Sequence, residues 1–236
     1  PKASLSRLVL KAALFTFLLG LSKLHWSLAV VFILAAFYFY LSPFFNIKRP
    51  LPSFFILLIF SLVVSARFSG PIYWVLAILF GFLFFLFLGV KNLIFVNRQP
   101  LYYLFNNLLL MASFIFFFNS DKSQWFFIKY IMVFLIAFIL FKEFLAISSP
   151  RLIGEQRINL VAFSFSFLIL QFVWAIGLLP FSSLNSASLV LLIILILQDF
   201  IIHHLAGTIN RRVVLRNATI FLVLNLVVFA ASKWSP

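Results

Sequence analysis

Nine long apolar runs follow one another along this chain, with only short polar stretches between them. An α-helix needs about 20 apolar residues to cross the roughly 30 Å hydrocarbon core of a bilayer, and the runs are close to this length. Strands of a membrane barrel would alternate polar and apolar residues, whereas these runs are apolar all round. The pattern therefore predicts an all-α, polytopic transmembrane helix bundle with about nine spans.

The composition leaves no room for a water-soluble domain, because 65% of the residues are hydrophobic and 9% are charged. We expect one integral membrane domain over residues 1–236. The loops are short, so neighbouring spans should form antiparallel hairpins. The predicted spans are residues 5–22, 26–41, 51–66, 72–90, 101–118, 125–147, 158–179, 187–206 and 215–231.

The 18 Lys and Arg residues alternate between the two ends of these spans. If the N-terminus is cytoplasmic, 13 of them fall on the cytoplasmic side and five on the other. The cytoplasmic set is Lys2, Arg7, Lys11, Lys48, Arg49, Lys91, Arg98, Lys142, Arg151, Arg157, Arg211, Arg212 and Arg216. The outer set is Lys23, Arg67, Lys122, Lys129 and Lys233.

Such a bias over short loops is typical of membrane proteins, whose cytoplasmic loops are the more basic ones. It predicts a multi-pass protein of the cell (inner or plasma) membrane with a cytoplasmic N-terminus and a non-cytoplasmic C-terminus. Arg7 and Lys11 interrupt the first span. The alternative is eight spans preceded by an amphipathic N-terminal helix on the outer surface. Three basic residues then change sides, which leaves 10 on the cytoplasmic side and 8 on the other.

The formal net charge of +14 has a simpler explanation in the membrane than in nucleic acid binding. Basic residues at helix ends contact anionic lipid headgroups. We therefore predict membrane lipids as partners, together with other membrane proteins or a second copy of the chain, and no nucleic acid. The residues expected to contact headgroups on the cytoplasmic side are Lys48, Arg49, Arg98, Arg151, Arg157, Arg211, Arg212 and Arg216.

A Trp opens three of the spans, and each is followed by a Pro close to the far end of the same span. The pairs are Trp26 and Pro50, Trp74 and Pro100, and Trp125 and Pro150. One interpretation is tandem duplication of a two-helix hairpin of about 50 residues. The other is that any membrane hairpin of minimum length has this period, with Trp at the interface and Pro in a first helical turn.

Polar residues at membrane depth carry most of the functional information, because they are costly there. Asp199 and His203 in the eighth span are four residues apart and so share one helix face. A carboxylate beside an imidazole suits a proton relay or part of a metal site. The alternative is that the histidines lie among headgroups and Asp199 pairs with them or with Arg211. The further candidates for a substrate or ion site are His204, Glu143, Asn106 and Asn107.

The sequence contains no catalytic or cofactor-binding motif, and we predict no cofactor and no metal site. It has no cysteine and only four acidic residues, too few for a paired-carboxylate or two-metal enzyme. Two function classes remain. One is a non-enzymatic subunit or scaffold whose helices recognise other membrane helices. The other is a small transporter or a proton- or cation-coupled carrier that uses the layer of Asp199 and His203.

Overall fold

The structure is a computed structural model that describes residues 2–42, 51–92, 98–120, 126–148 and 154–231. Over these residues it is entirely helical, with nine α-helices and no strand. The helices are α1 (Lys2–Ser22), α2 (Trp26–Leu41), α3 (Leu51–Arg67), α4 (Pro71–Lys91), α5 (Arg98–Asn119), α6 (Phe126–Ser148), α7 (Glu155–Gly177), α8 (Ser183–Leu205) and α9 (Arg211–Ala231).

Each helix coincides with one predicted apolar run, which confirms the all-α membrane bundle. In the part of the chain that the structure describes, six helices are long and apolar enough to cross a membrane: α1, α4, α5, α6, α7 and α8. The helices α2 and α3 are apolar but shorter, at 16 and 17 residues. The first helix, α1, belongs to the long set and packs against α2 and α4. That it spans the membrane stays a prediction.

The chain forms two compact units, Pro1–Asn106 and Asn107–Pro236, which we call the N-terminal unit and the C-terminal unit. The division falls inside α5. In the N-terminal unit, α1 packs against α2, α3 and α4, and α3 packs against α4. In the C-terminal unit, α6 packs against α7, α7 against α8, and α8 against α9.

Aromatic rings fill the interior of the N-terminal unit. Phe15 of α1 stacks on Phe84 of α4 with ring centroids 4.2 Å apart. Tyr40 of α2 stacks in the same way on Phe54 of α3 at 4.4 Å. All four rings are fully buried. Such contacts add about 0.5–1.5 kcal/mol per pair to the free energy of burial. These phenylalanines therefore serve helix packing.

Two lysines hold the C-terminal end of α2. The Lys11 ammonium group donates to the carbonyls of Phe39, at 3.5 Å, and Ser42. The Lys91 ammonium group donates to the carbonyl of Tyr40 and lies 4.4 Å from the centre of its ring. The last carbonyls of a helix have no intrahelical donor and carry partial negative charge, so cations are favourable there. Lys11, which interrupts the first apolar run, thus joins α1 to α2.

The hairpin repeat stays a prediction. Pro50 and Pro150 lie outside the described residues, and Pro100 occupies the first turn of α5. Trp26 is the first residue of α2, and Trp74 lies in the first turn of α4. These positions agree with both interpretations of the period.

Candidate functional site

A tight turn between α8 and α9 brings side chains of α9 to Asp199 of α8. Gly207 has a φ of 66°, in the left-handed region that glycine adopts without strain. Its N–H donates to the carbonyl of His204 at 3.1 Å, and the N–H of Thr208 donates to that of His203 at 2.9 Å. These two bonds form the Schellman motif that ends many helices. Asn210 then caps α9 by accepting from the N–H of Val213 at 2.9 Å.

The Asp199 carboxylate joins the two helices of this hairpin. One of its oxygens, Oδ2, accepts a hydrogen bond from Arg216 Nη2 at 2.8 Å and another from Asn217 Nδ2 at 2.7 Å. Both donors belong to α9. Asn217 is almost fully buried, whereas the Asp199 side chain is 33% exposed and that of Arg216 55% exposed. The ion pair is thus half-buried at the edge of the hairpin.

His203 extends this group towards the turn. Its Nε2 lies 3.7 Å from Asp199 Oδ1, and its Nδ1 lies 2.8 Å from the Thr208 hydroxyl oxygen. The predicted face shared by Asp199 and His203 therefore exists. We call the resulting series of contacts the row. In it Thr208 contacts His203, and His203 contacts Asp199. Asp199 in turn accepts hydrogen bonds from Arg216 and Asn217 of α9. The row can hold a proton or orient an imidazole, and it fastens the end of α8 to the start of α9.

None of the other predicted candidates is a hydrogen-bond partner of Asp199 or His203 in the described part of the chain. Glu143 is buried on α6 and is not among the hydrogen-bond donors or acceptors of Asp199. Asn106 and Asn107 are buried on α5, and His204 is exposed. Within the described residues, no group of three or more His, Cys, Asp or Glu side chains could hold a metal ion.

Gln198, next to Asp199 on α8, is fully buried, and both ends of its amide lack a hydrogen-bond partner in the described part of the chain. The same holds for both ends of the Asn107 amide. Buried amides without partners are costly, so both amides destabilise the helices that carry them.

Of the eight basic residues expected at headgroups, three lie outside the described residues: Lys48, Arg49 and Arg151. Arg98 is the first residue of α5, and its side chain is not described. Arg157, Arg211 and Arg212 lie exposed in the first turns of α7 and α9. Arg216 differs from these, because its guanidinium group binds Asp199. Headgroup contact by the exposed arginines stays a prediction.

A cleft of about 230 Å³ lies elsewhere in the C-terminal unit, where the end of α5 meets α6 and α7. Half of the residues in its wall are aromatic, including Phe118, Tyr130 and Trp174, and Lys129 adds a cation. Such a lining suits an acyl chain or a ring. It offers no nucleophile paired with a base.

The sequence did not reveal two members of the row, Asn217 and Thr208. Asn217 carried a usable signal: it stands beside Arg216 at the start of an apolar run, where a polar side chain needs a partner. The register of α9 against α8, which decides that this partner is Asp199, follows from the turn geometry. No known protein family, curated protein or solved structure matches this chain.

Substitution of Asp199 should separate its charge from its hydrogen bonds. We expect Asp199→Asn to lower the free energy of unfolding by less than about 1 kcal/mol, because the amide oxygen still accepts and the ion pair is part-exposed. Asp199→Leu should cost about 1–3 kcal/mol, because the buried Asn217 amide then loses its acceptor. Thermal unfolding in detergent measures both. Equal losses for the two variants would contradict a hydrogen-bonding role.

Proposed function

We propose that this chain is a non-enzymatic, multi-pass protein of the cell membrane, a subunit or scaffold whose helices bind other membrane helices. The observation that carries this proposal is the surface of α9. Among its described side chains only Val213 and Asn217 are buried, both in the first two turns. Further along, Leu222, Leu226 and their neighbours are exposed.

Exposed apolar residues alone would suit contact with lipid. Asn225 is different, because it places an amide on this otherwise apolar part of α9. Measured from Leu215, the start of the predicted span, it lies about 15 Å along the helix axis and close to mid-bilayer. The side chain is only half-buried, and its amide makes no hydrogen bond among the described residues.

An amide at that depth favours a neighbouring helix over lipid, since hydrocarbon offers it no hydrogen bond. The pairing of Asp199 with Arg216 and Asn217 supports the same proposal. It holds the start of α9 on α8 and leaves the rest of α9 available to a partner. In this account the polar row is a structural fastening of the hairpin.

A photoreactive residue tests the proposal in native membranes. We expect benzoylphenylalanine in place of Leu222 to form adducts with protein, and Asn225→Leu to reduce their yield. The matched control is Phe167 of α7, which is 51% exposed against 62% for Leu222. Each of the two residues lies near the middle of its helix. The control should label lipid. Lipid adducts alone from both positions would contradict the proposal.

The second candidate function is a proton- or cation-coupled carrier, favoured by the row from Thr208 through His203 to Asp199. The Asp199→Asn variant distinguishes it from the first. A carrier should lose proton flux in proteoliposomes while its expression and fold stay intact. A fastening should give the same flux in both proteins.

A further inference from the structure

We propose that two copies of this chain associate through α9, with their Asn225 amides hydrogen-bonded to each other within the contact. This inference rests on the proposed function and names the partner that α9 binds.

The contact surface is a stripe formed by Leu215, Ala218, Leu222 and Asn225. The spacings of three, four and three residues are those of the a and d positions of a coiled coil. The first three side chains are exposed and the last is half-buried. At 3.6 residues per turn, the centre of the stripe lies about 140° around the helix from the buried Val213 and Asn217. The stripe therefore points away from α8.

A second copy of the chain is the partner that matches this stripe, because all copies enter the membrane in one orientation. All copies insert in the same orientation, so two α9 helices related by a two-fold axis along the membrane normal run parallel. Each residue then meets its own counterpart at its own depth. Asn225 thus always finds Asn225, and an amide is complementary to itself, because its NH₂ group donates and its oxygen accepts. A helix of another sequence would offer the Asn225 amide a hydrogen bond only if it carried a polar residue at the same depth.

The rest of the stripe is compatible with this arrangement. Ala218 allows the two backbones to approach closely near the start of the contact. Arg211 continues the stripe beyond Leu215, in the first turn of α9. There the two copies meet among headgroups and water, which screen the like charges.

The absence of cysteine from the chain gives a test without background. We expect Leu222→Cys to form disulfide-linked dimers when membranes are treated with copper–phenanthroline. The control is Val223→Cys, the adjacent residue, which is 53% exposed against 62% but lies about 120° from the centre of the stripe. It should stay monomeric. Adding Asn225→Leu to Leu222→Cys should weaken association about 3- to 30-fold, the usual range for one polar contact between membrane helices.

The outcomes separate this inference from the proposed function. Dimers from Leu222→Cys that depend on Asn225 and are lacking in Val223→Cys support it. Equal cross-linking at both positions indicates random collision and overturns it. Monomers from Leu222→Cys, together with photo-adducts of residue 222 to a different protein, overturn the second copy and leave the proposed function standing. Monomers together with lipid adducts alone overturn both.

Discussion

Replacing Gly81 with alanine should disrupt the contact between α1 and α4. Gly81 faces Thr16 so closely that a methyl group in its place would overlap the Thr16 hydroxyl oxygen. That hydroxyl also donates to the carbonyl of Ala12, one turn earlier in α1, at 3.0 Å. Either the Thr16 side chain rotates and loses this hydrogen bond, or the two helices move apart. We expect a loss of about 2–3 kcal/mol in the free energy of unfolding and a fall of roughly 5–10 °C in melting temperature.

A second substitution identifies the cause. Adding Thr16→Ala to Gly81→Ala removes the overlapping oxygen and leaves a contact of 3.1 Å to the Cβ of residue 16, which needs a shift of a few tenths of an ångström. We expect it to restore about half of the lost stability, in proportion to the overlap removed.

The matched control is Gly177→Ala at the end of α7. Its added methyl group would meet Phe118 and Tyr130 at 3.9 Å, an ordinary contact distance. Alanine at position 81, inside α4, gains up to about 1 kcal/mol of helix propensity, and alanine at the last residue of α7 gains less. Propensity would therefore favour the Gly81→Ala protein, so a loss of stability there comes from packing. Melting curves in detergent measure all three proteins. A Gly81→Ala protein as stable as the Gly177→Ala protein would show that α1 and α4 do not approach each other as described.

The sequence predicted the helices well, because the length of an apolar run and the thickness of a bilayer both limit where a spanning helix can end. The predicted span 26–41 has the same bounds as α2, and the span 72–90 differs from α4 by one residue at each end. This constraint acts along the chain, so it can be evaluated without knowing which helices are neighbours.

Tertiary contacts could not be predicted from the sequence, because they depend on which helices are neighbours. Gly81 is an isolated glycine in an apolar run, and only the packing of α1 on α4 shows what it accommodates. From the sequence, Lys11 and Lys91 could be assigned only as charges on one side of the membrane. The structure shows that both contact the C-terminal end of α2.

The candidate site shows the same limit. The i, i+4 pair of Asp199 and His203 could be predicted from helix geometry alone. Its donors could not, because Arg216 and Asn217 reach Asp199 only after the chain has turned at Gly207. Arg216 was expected at headgroups, which stays a prediction, and the structure adds that it forms the ion pair of the hairpin.

The proposed role of Asn225 requires that α9 crosses the membrane. Only then does Asn225 lie near mid-bilayer, and only then does its amide need a helical partner. The helix extends over 21 residues, or about 31 Å at 1.5 Å per residue, which matches the thickness of the hydrocarbon core. It is not among the six helices that qualify as spans by length and composition over the described residues, so its crossing is a prediction from the sequence. The three arginines near its start predict a cytoplasmic location for that end, by the usual distribution of basic residues.

Topology reporters on the two sides of α9 test this most directly. Reporter fusions within residues 210–212 and after Lys233 can be compared by paired alkaline phosphatase and fluorescent protein activity. We expect the first fusion to be cytoplasmic and the second non-cytoplasmic, with nearly all of the activity on one side in each case. Both reporters on the same side would show that α9 does not cross, which would contradict the nine-span arrangement and the proposed role of Asn225.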